Sequence, residues 1–326
     1  KGNFKFEDIS KSSKIRFFIE VHLKACSSQI RLLRSAHYAI DIVYIKFINY
    51  QIIVNNYRIF DYSYQKHIDA IRALAVLVVW LFHLNPNLFP GGYVGVDIFF
   101  VVSGYVITLS IFRDIEKNKN FNLFNFYKKR FFRIFPALFF FIISTFIFYL
   151  FFGYLFELNY VSKIGITSLF GISNIFYIYL RSDYFLENEL NPFLHTWSLG
   201  VEEQFYFMYP LIISSTLLLS SYFYKKKYVN FLLILIFIFL IILSFLCFYL
   251  FQNTTLGNFY SPLSRFWELF LGCLLFLVFE NKKINFNKII IFTAIILFFF
   301  IIFFDDLISN IYLTLPLVTI FASITI

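Results

Sequence analysis

The chain is dominated by long apolar segments that alternate with short polar ones. Because an α-helix rises 1.5 Å per residue, about 20 apolar residues cross the roughly 30 Å hydrocarbon core of a bilayer. The predicted spans cover approximately residues 68–84, 93–112, 134–155, 197–222, 228–251, 262–279 and 289–304, and another starts near residue 311. The pattern predicts an all-α, polytopic membrane helix bundle with about eight transmembrane helices in this chain.

Lysine and arginine concentrate in the polar segments 113–133, 225–227 and 282–288. Short loops rich in these residues are typical of the cytoplasmic side of a membrane, so the amino terminus is predicted to be cytoplasmic. The spans then alternate correctly only if residues 161–180 do not cross. This moderately apolar stretch is predicted to be interfacial or folded into an external loop.

The composition agrees with a membrane protein: 60% of the 326 residues are hydrophobic and only 14% are charged, against about 25% charged in average soluble domains. The net charge of +9 follows from the basic loops and does not indicate a nucleic-acid partner. The three cysteines are widely spaced, so neither a disulfide framework nor a metal site is expected. Residues 1–62 are predicted to be a basic cytoplasmic or interfacial extension, with a weak extra span at 38–54 as the alternative, and residues 63–326 form the membrane domain.

The first span carries ionisable residues that are costly in a hydrocarbon environment: Asp69, Arg72 and His83. At 100° per residue, Arg72 and His83 lie within about 20° of each other on one helical face and roughly 16 Å apart along the axis. An imidazole is the usual general base for deprotonating a hydroxyl. The structural alternative is an arginine that reaches the headgroups and a histidine bonded to a carbonyl.

The second span contains Asp97 and Ser103, which are six residues apart and therefore on different helical faces. Pairing of Asp97 with a neighbouring arginine, and close helix packing at Ser103, are alternatives to catalysis. Arg130 and Arg133 end the basic segment. They either anchor the span at the cytoplasmic surface or bind phosphates, for which guanidinium groups are well shaped.

The densest polar cluster runs from Asn191 to Tyr206, and its candidate site residues are His195, Trp197, Ser198, Glu202 and Glu203. It either shapes a substrate site or forms a structural network of hydrogen bonds. Farther along, Arg265 and Glu268 have the spacing of an intrahelical ion pair.

Five ordered blocks resemble the acyltransferase-3 family of integral membrane proteins, in particular its branch of lipopolysaccharide O-antigen and peptidoglycan O-acetylases. The blocks are HIDAIRALAVLVVWLFH, FPGGYVGVDIFFVVSGYVIT, FYKKRFFRIFPAL, NPFLHTWSLGVEEQFYFMYP and SRFWELFLG. The resemblance implies a multi-pass protein of the bacterial inner membrane. Such a protein moves an acyl group, usually acetyl, from cytoplasmic acetyl-CoA or another acyl-CoA to a hydroxyl of an envelope glycan.

The resemblance also implies roles for individual residues. Arg72 and His83 match the family's arginine–histidine motif, so Arg72 is expected to orient the donor and His83 to act as general base or transient acyl carrier. Arg130 and Arg133 match its Arg-x-x-Arg motif and are expected to hold the CoA phosphates. Its serine–glycine and Glu-Glu blocks match Ser103-Gly104 and Glu202-Glu203, and the loop around His195–Glu203 is expected to shape the acceptor side. No metal is expected.

Two further expectations follow from the family pattern. Relatives usually have about ten spans, so the carboxyl-terminal part is expected to be missing. Many relatives in this branch also carry a soluble SGNH-type hydrolase-like domain after the membrane part, and whether one follows these residues stays open. Two alternatives stay open: a transporter or flippase whose buried arginine and histidine form an ion or lipid path, and an inactive fragment.

Overall fold

The computed structural model describes residues 66–118, 121–152, 158–180, 191–220, 226–250, 254, 259–279, 288–308 and 311–325. Within these ranges the chain forms α-helices and one short 3-10 helix, and no strand occurs among them. The α-helices are α1 (Lys66–Leu84), α2 (Gly95–Asn118), α3 (Leu123–Phe152), α4 (Leu158–Leu169), α5 (Ser173–Leu180), α6 (Thr196–Ser220), α7 (Lys226–Leu250), α8 (Pro262–Phe279), α9 (Lys288–Ile308) and α10 (Ile311–Thr325), and the 3-10 helix is Pro90–Val94. The proposed extension, residues 1–62, lies outside the described residues.

Five helices in the described part of the chain are long and apolar enough to cross a membrane: α1, α2 with the preceding 3-10 helix, α3, α7 and α8. Shorter apolar helical segments occupy Ile295–Phe304 in α9 and Thr314–Thr325 in α10. Large apolar side chains on α3 face outward, with Phe140 74% and Phe151 78% exposed. Such a surface is unfavourable in water and suits hydrocarbon. The prediction of an all-α polytopic membrane protein is confirmed.

Helix α6 coincides with the predicted span at 197–222. It is not among the five helices apolar enough to cross a membrane, because polar residues lower its hydropathy. That α6 crosses the membrane therefore stays a prediction. The stretch at 161–180 forms two helices, α4 of 12 residues and α5 of 8 residues. Their lengths are about 18 and 12 Å, less than the thickness of the hydrocarbon core. Gly171 turns the chain between them with φ of 65°. The structure therefore agrees that this stretch does not cross.

The interpretation of residues 113–133 as a loop is wrong for most of the segment. Helix α2 continues to Asn118, and α3 already begins at Leu123, where the Asn122 side chain accepts a hydrogen bond from the Asn125 backbone N–H at 3.1 Å. Lysine and arginine are good helix formers whose long side chains reach out of the hydrocarbon, so a basic composition does not end a helix. Arg130 and Arg133 consequently lie one turn apart on α3.

Helices α2 and α8 approach each other closely through two glycines. A Cβ atom at Gly104 would overlap the backbone carbonyl of Leu269, and one at Gly272 would overlap that of Val101. The thiol of Cys273 donates a hydrogen bond to the Gly104 carbonyl at 3.3 Å. Small residues that let helix backbones touch are a typical packing device in membranes. This contact fixes α2 as the central helix against which the candidate site is built.

Candidate functional site

Glu202 is the polar centre of the candidate site. Its carboxylate is only 6% exposed, and it accepts hydrogen bonds from the Ser103 hydroxyl at 2.7 Å and the Tyr206 hydroxyl at 3.0 Å. Ser103 lies on α2, whereas Tyr206 lies one turn after Glu202 on α6. Two donors on one buried carboxylate stabilise its charged form.

Two arginines from other helices complete the surroundings of this carboxylate. Arg72 on α1 lies over the ring of Phe99 at 5.4 Å, and Arg130 on α3 lies over the ring of Tyr206 at 5.0 Å. Both positive charges interact favourably with Glu202. We call Arg72, Arg130 and Glu202 the arginine–glutamate cluster. Its two cations and one anion leave a net positive charge at the site, which suits an anionic ligand.

Arg133 does not join this cluster. It is exposed and lines a groove of about 340 Å³ between α3 and α6, within the usual size range of small-molecule sites. The other residues lining this α3–α6 groove are Ile134, Ala137, Leu138, Phe141, His195, Thr196 and Leu199. The two arginines of the Arg-x-x-Arg motif therefore have different environments.

Asp69 and Arg72 line a second groove, of about 530 Å³, along the exposed face of α1. The remaining lining residues are Ala73, Val76, Leu77, Trp80 and Phe99. Asp69 is exposed and takes no part in the hydrogen bonds of Glu202. The structure thus places Asp69 with Arg72 in the groove along α1.

Two histidines lie near each other at another level of the bundle. His83 is in the last turn of α1, with its ring 5.3 Å from Phe82. His195 directly precedes α6, and its ring is 5.3 Å from Phe141. The charges of the two histidines interact. Desolvation by the surrounding protein atoms lowers the pKa of His195 below its ordinary value of 6.5, and the charge of His83 lowers it further.

The cluster and the histidines therefore occupy two levels along the same helices. Arg72 and His83 are separated by a rise of roughly 16 Å on α1. On the α6 side, the seven residues from His195 to Glu202 give a rise of roughly 10 Å. On the face of α1 predicted from sequence, Arg72 thus interacts electrostatically with Glu202 of α6, and His83 with His195, which directly precedes α6.

Asp97 belongs to a separate ion cluster. Arg265 donates to Asp97 at 2.6 Å and to Glu268 at 3.0 Å, and all three side chains are at most 1% exposed. The buried ring of Trp197 packs against this arginine at 5.7 Å. The intrahelical pair predicted from sequence is confirmed. Because Asp97 faces α8 and Ser103 faces α6, the prediction that they occupy different faces of α2 is also confirmed.

The remaining candidates from the sequence, Glu203 and Ser198, contact the chain segments next to the start of α6. Glu203 lies against Gly171 in the turn between α4 and α5, and the neighbouring Gln204 side chain donates to the Gly171 carbonyl at 2.8 Å. The Ser198 hydroxyl donates to the His195 carbonyl at 3.2 Å. The two adjacent glutamates therefore face different parts of the protein, which the sequence pattern did not separate.

Sequence reasoning placed Tyr206 at the end of the polar cluster but did not name it as a site residue, although its hydroxyl binds Glu202 and its ring packs under Arg130. The available signal was its spacing of four residues from Glu202, which places both on one helical face.

Comparisons with known proteins identify the family. Residues 65–326 match the family described as "Acyltransferase domain" (Acyl_transf_3). O-acetyltransferase OatA of Staphylococcus aureus (strain NCTC 8325 / PS 47) is 36% identical over 157 residues, which are 48% of this chain and 26% of that relative. Peptidoglycan O-acetyltransferase OatA of Listeria monocytogenes is 40% identical over 152 residues, 46% of this chain and 24% of that relative.

YrhL of Bacillus subtilis, described as a candidate peptidoglycan O-acetyltransferase, is 33% identical over 229 residues, 70% of this chain and 35% of that relative. The matches thus span about a quarter to a third of the length of these relatives. No solved structure matches the chain. The match over residues 65–326, together with an all-helical membrane fold, shows that the chain belongs to the acyltransferase-3 family.

Proposed function

We propose that this chain transfers an acyl group, most simply acetyl, from acyl-CoA to a hydroxyl of a cell-envelope polysaccharide. The observation that carries the proposal is the two-level arrangement, with the arginine–glutamate cluster at one level and His83, whose charge interacts with that of His195, at the other. A positive site for an anionic donor and a titratable base on one helical face are the two groups that such a transfer needs.

The two arginines of the Arg-x-x-Arg motif differ in how available they are to bind the donor. Arg133 is exposed in the α3–α6 groove, so its guanidinium is available to a CoA phosphate as a fork of donors. Arg130 is engaged with Tyr206 and Glu202. We assign phosphate binding mainly to Arg133 and the positive field of the site to Arg72 and Arg130.

His83 is the general base of the proposed reaction. It takes the proton of the acceptor hydroxyl as the oxygen attacks the thioester carbonyl carbon. The tetrahedral intermediate then collapses, the carbon–sulfur bond breaks, and an ester and a CoA thiolate form. Base catalysis of this kind contributes about 10²–10⁴-fold to the rate.

The acceptor side is assigned to the histidine level, where the α4–α5 turn and the start of α6 meet. The names of the Listeria and Bacillus relatives support peptidoglycan as the acceptor, and lipopolysaccharide O-antigen is the other glycan to test. We place the protein in the inner membrane with its amino terminus cytoplasmic, because Lys128 and Lys129 accompany the arginines at the start of α3.

The test is transfer of radiolabelled acetyl from acetyl-CoA to glycan fragments by membranes that contain the full-length protein. The His83→Gln variant should lose at least about 100-fold in rate. The matched variant His67→Gln changes an exposed histidine at the start of α1 and should retain wild-type activity. Wild-type membranes with abundant folded protein but no acetyl-CoA turnover on either glycan would overturn the proposal and favour a transporter.

A second comparison separates the two arginines. Arg133→Ala should raise KM for acetyl-CoA about tenfold, the cost of roughly one charge-assisted hydrogen bond, without lowering thermal stability. Arg130→Ala should also lower thermal stability, because it removes a partner of buried Glu202. Equal effects of both changes on KM and stability would contradict the assignment.

A further inference from the structure

His195 links two features of the site. It lines the α3–α6 groove together with Arg133, and its charge interacts with that of His83 on α1. Its backbone is held in place by the start of α6 and by the Ser198 hydroxyl. His195 therefore lines the groove and interacts electrostatically with the proposed base.

The groove has the chemistry for a ligand with one anionic end. Arg133 and His195 both line it, together with the apolar side chains of Ala137, Phe141 and Leu199. From Arg133 to Phe141, against which His195 packs, α3 rises about 12 Å. A donor with its phosphate at Arg133 would place the rest of its length toward His195.

The charges around His195 favour an uncharged ring at rest. Its ring packs against the apolar ring of Phe141, its charge interacts with that of the base His83, and the cation Arg133 lines the same groove. No carboxylate occurs among the described residues that line the groove. Protonation of one histidine disfavours protonation of the other, because the two charges interact.

We propose that His195 is a second catalytic residue, which delivers the proton of the acceptor hydroxyl to the sulfur of the donor; this rests on the proposed function. His83 takes the proton as the acceptor oxygen bonds to the carbonyl carbon, and the proton passes to His195. When the carbon–sulfur bond breaks, the thiolate sulfur takes the proton from His195. Hydroxyl and thioester become ester and thiol, and both histidines are neutral again.

This relay moves the acyl group and the proton in opposite directions through one site. It requires no further reactant, because the proton released by the hydroxyl is the one that the thiolate needs. The two histidines also have different roles: His83 deprotonates the nucleophile, and His195 protonates the leaving group.

A change of leaving group tests whether His195 protonates the sulfur of the donor. Transfer from acetyl-CoA is compared with transfer from S-(4-nitrophenyl) thioacetate, whose acidic thiol leaves without a proton. His195→Gln should lower kcat at least 100-fold with acetyl-CoA but less than tenfold with the aryl thioester. His83→Gln should be slow with both donors, and His67→Gln should match the wild type with both.

Two results would overturn the relay while leaving the proposed function intact: an equal loss with both donors in His195→Gln, or no loss with acetyl-CoA. Added imidazole provides a check against misfolding, since it should restore part of the acetyl-CoA turnover of His195→Ala. Absence of that rescue in a variant with wild-type thermal stability would also contradict the relay. If the wild type transfers from neither donor, the proposed function fails and the relay fails with it.

Discussion

The hydroxyl of Ser103 donates a hydrogen bond of 2.7 Å to the carboxylate of Glu202, a residue 99 positions away in the chain. Both side chains are buried, so the bond is shielded from water. It joins α2 to α6 at Glu202, whose charge also interacts with Arg72 of α1 and Arg130 of α3. The candidate site therefore depends on the packing of four helices.

Ser103→Ala should destabilise the protein, because it removes one of the two donors to a buried carboxylate. We expect a loss of about 1–3 kcal/mol in the free energy of unfolding, measured by thermal unfolding in detergent. The control is Ser144→Ala, since Ser144 is exposed on α3 and bonds only within its own helix. An equal effect of both changes would show that the bond to Glu202 is not stabilising.

Arg265→Ala should be among the most destabilising single changes. It leaves the carboxyls of Asp97 and Glu268 buried without their cation, for which the expected cost is about 3–5 kcal/mol. The exposed pair of Lys129 with Asp114 offers a matched control, because Lys129 is 60% exposed. Lys129→Ala should cost no more than about 1 kcal/mol. Chemical unfolding measures the free energy of unfolding of both variants. Similar losses for the two would show that burial does not make the Arg265 ion pairs more important than the exposed one.

Gly104→Ala should disrupt the contact between α2 and α8, because the added Cβ would overlap the backbone carbonyl of Leu269. Overpacking against backbone should cost at least about 1–3 kcal/mol, seen as a lower melting temperature or reduced accumulation in membranes. Gly165→Ala is the control. There the added atom would lie 3.3 Å from the side chains of Ile142 and Phe193, which can shift slightly. Normal stability of Gly104→Ala would refute the close approach.

Acid should destabilise the protein in part through His195. Its pKa in the folded state lies below 6.5, whereas an unfolded histidine titrates near its ordinary value of about 6.5. Between these two values the unfolded state binds more protons, so the free energy of unfolding falls as pH decreases below about 6.5.

The measurement is the melting temperature of wild type, His195→Gln and His67→Gln between pH 8 and pH 5. His195→Gln should show a shallower loss at low pH, and His67→Gln should follow the wild type. Parallel curves for all three proteins would rule out a contribution from His195.

Local patterns were enough to predict much of this protein. Hydropathy predicted the helices, because crossing a bilayer requires a continuous apolar helix. The stretch at 161–180, predicted not to cross, is divided by a turn at Gly171. The 3.6-residue period was enough to align Arg72 with His83 and to separate Asp97 from Ser103. The loop predicted at 113–133 failed, because charge marks the membrane surface and does not mark the end of a helix.

The sequence by itself determined the apolar helices, the faces on which their polar residues lie and the family motifs, because each depends on residues within a few turns of one another. Tertiary structure alone decided which faces meet. It paired Ser103 with Glu202 and Asp97 with Arg265, turned Arg130 inward while Arg133 stayed in a groove, and brought His195 near His83. These relationships join residues far apart in the chain, and they are set by how the helices pack, which no local periodicity encodes.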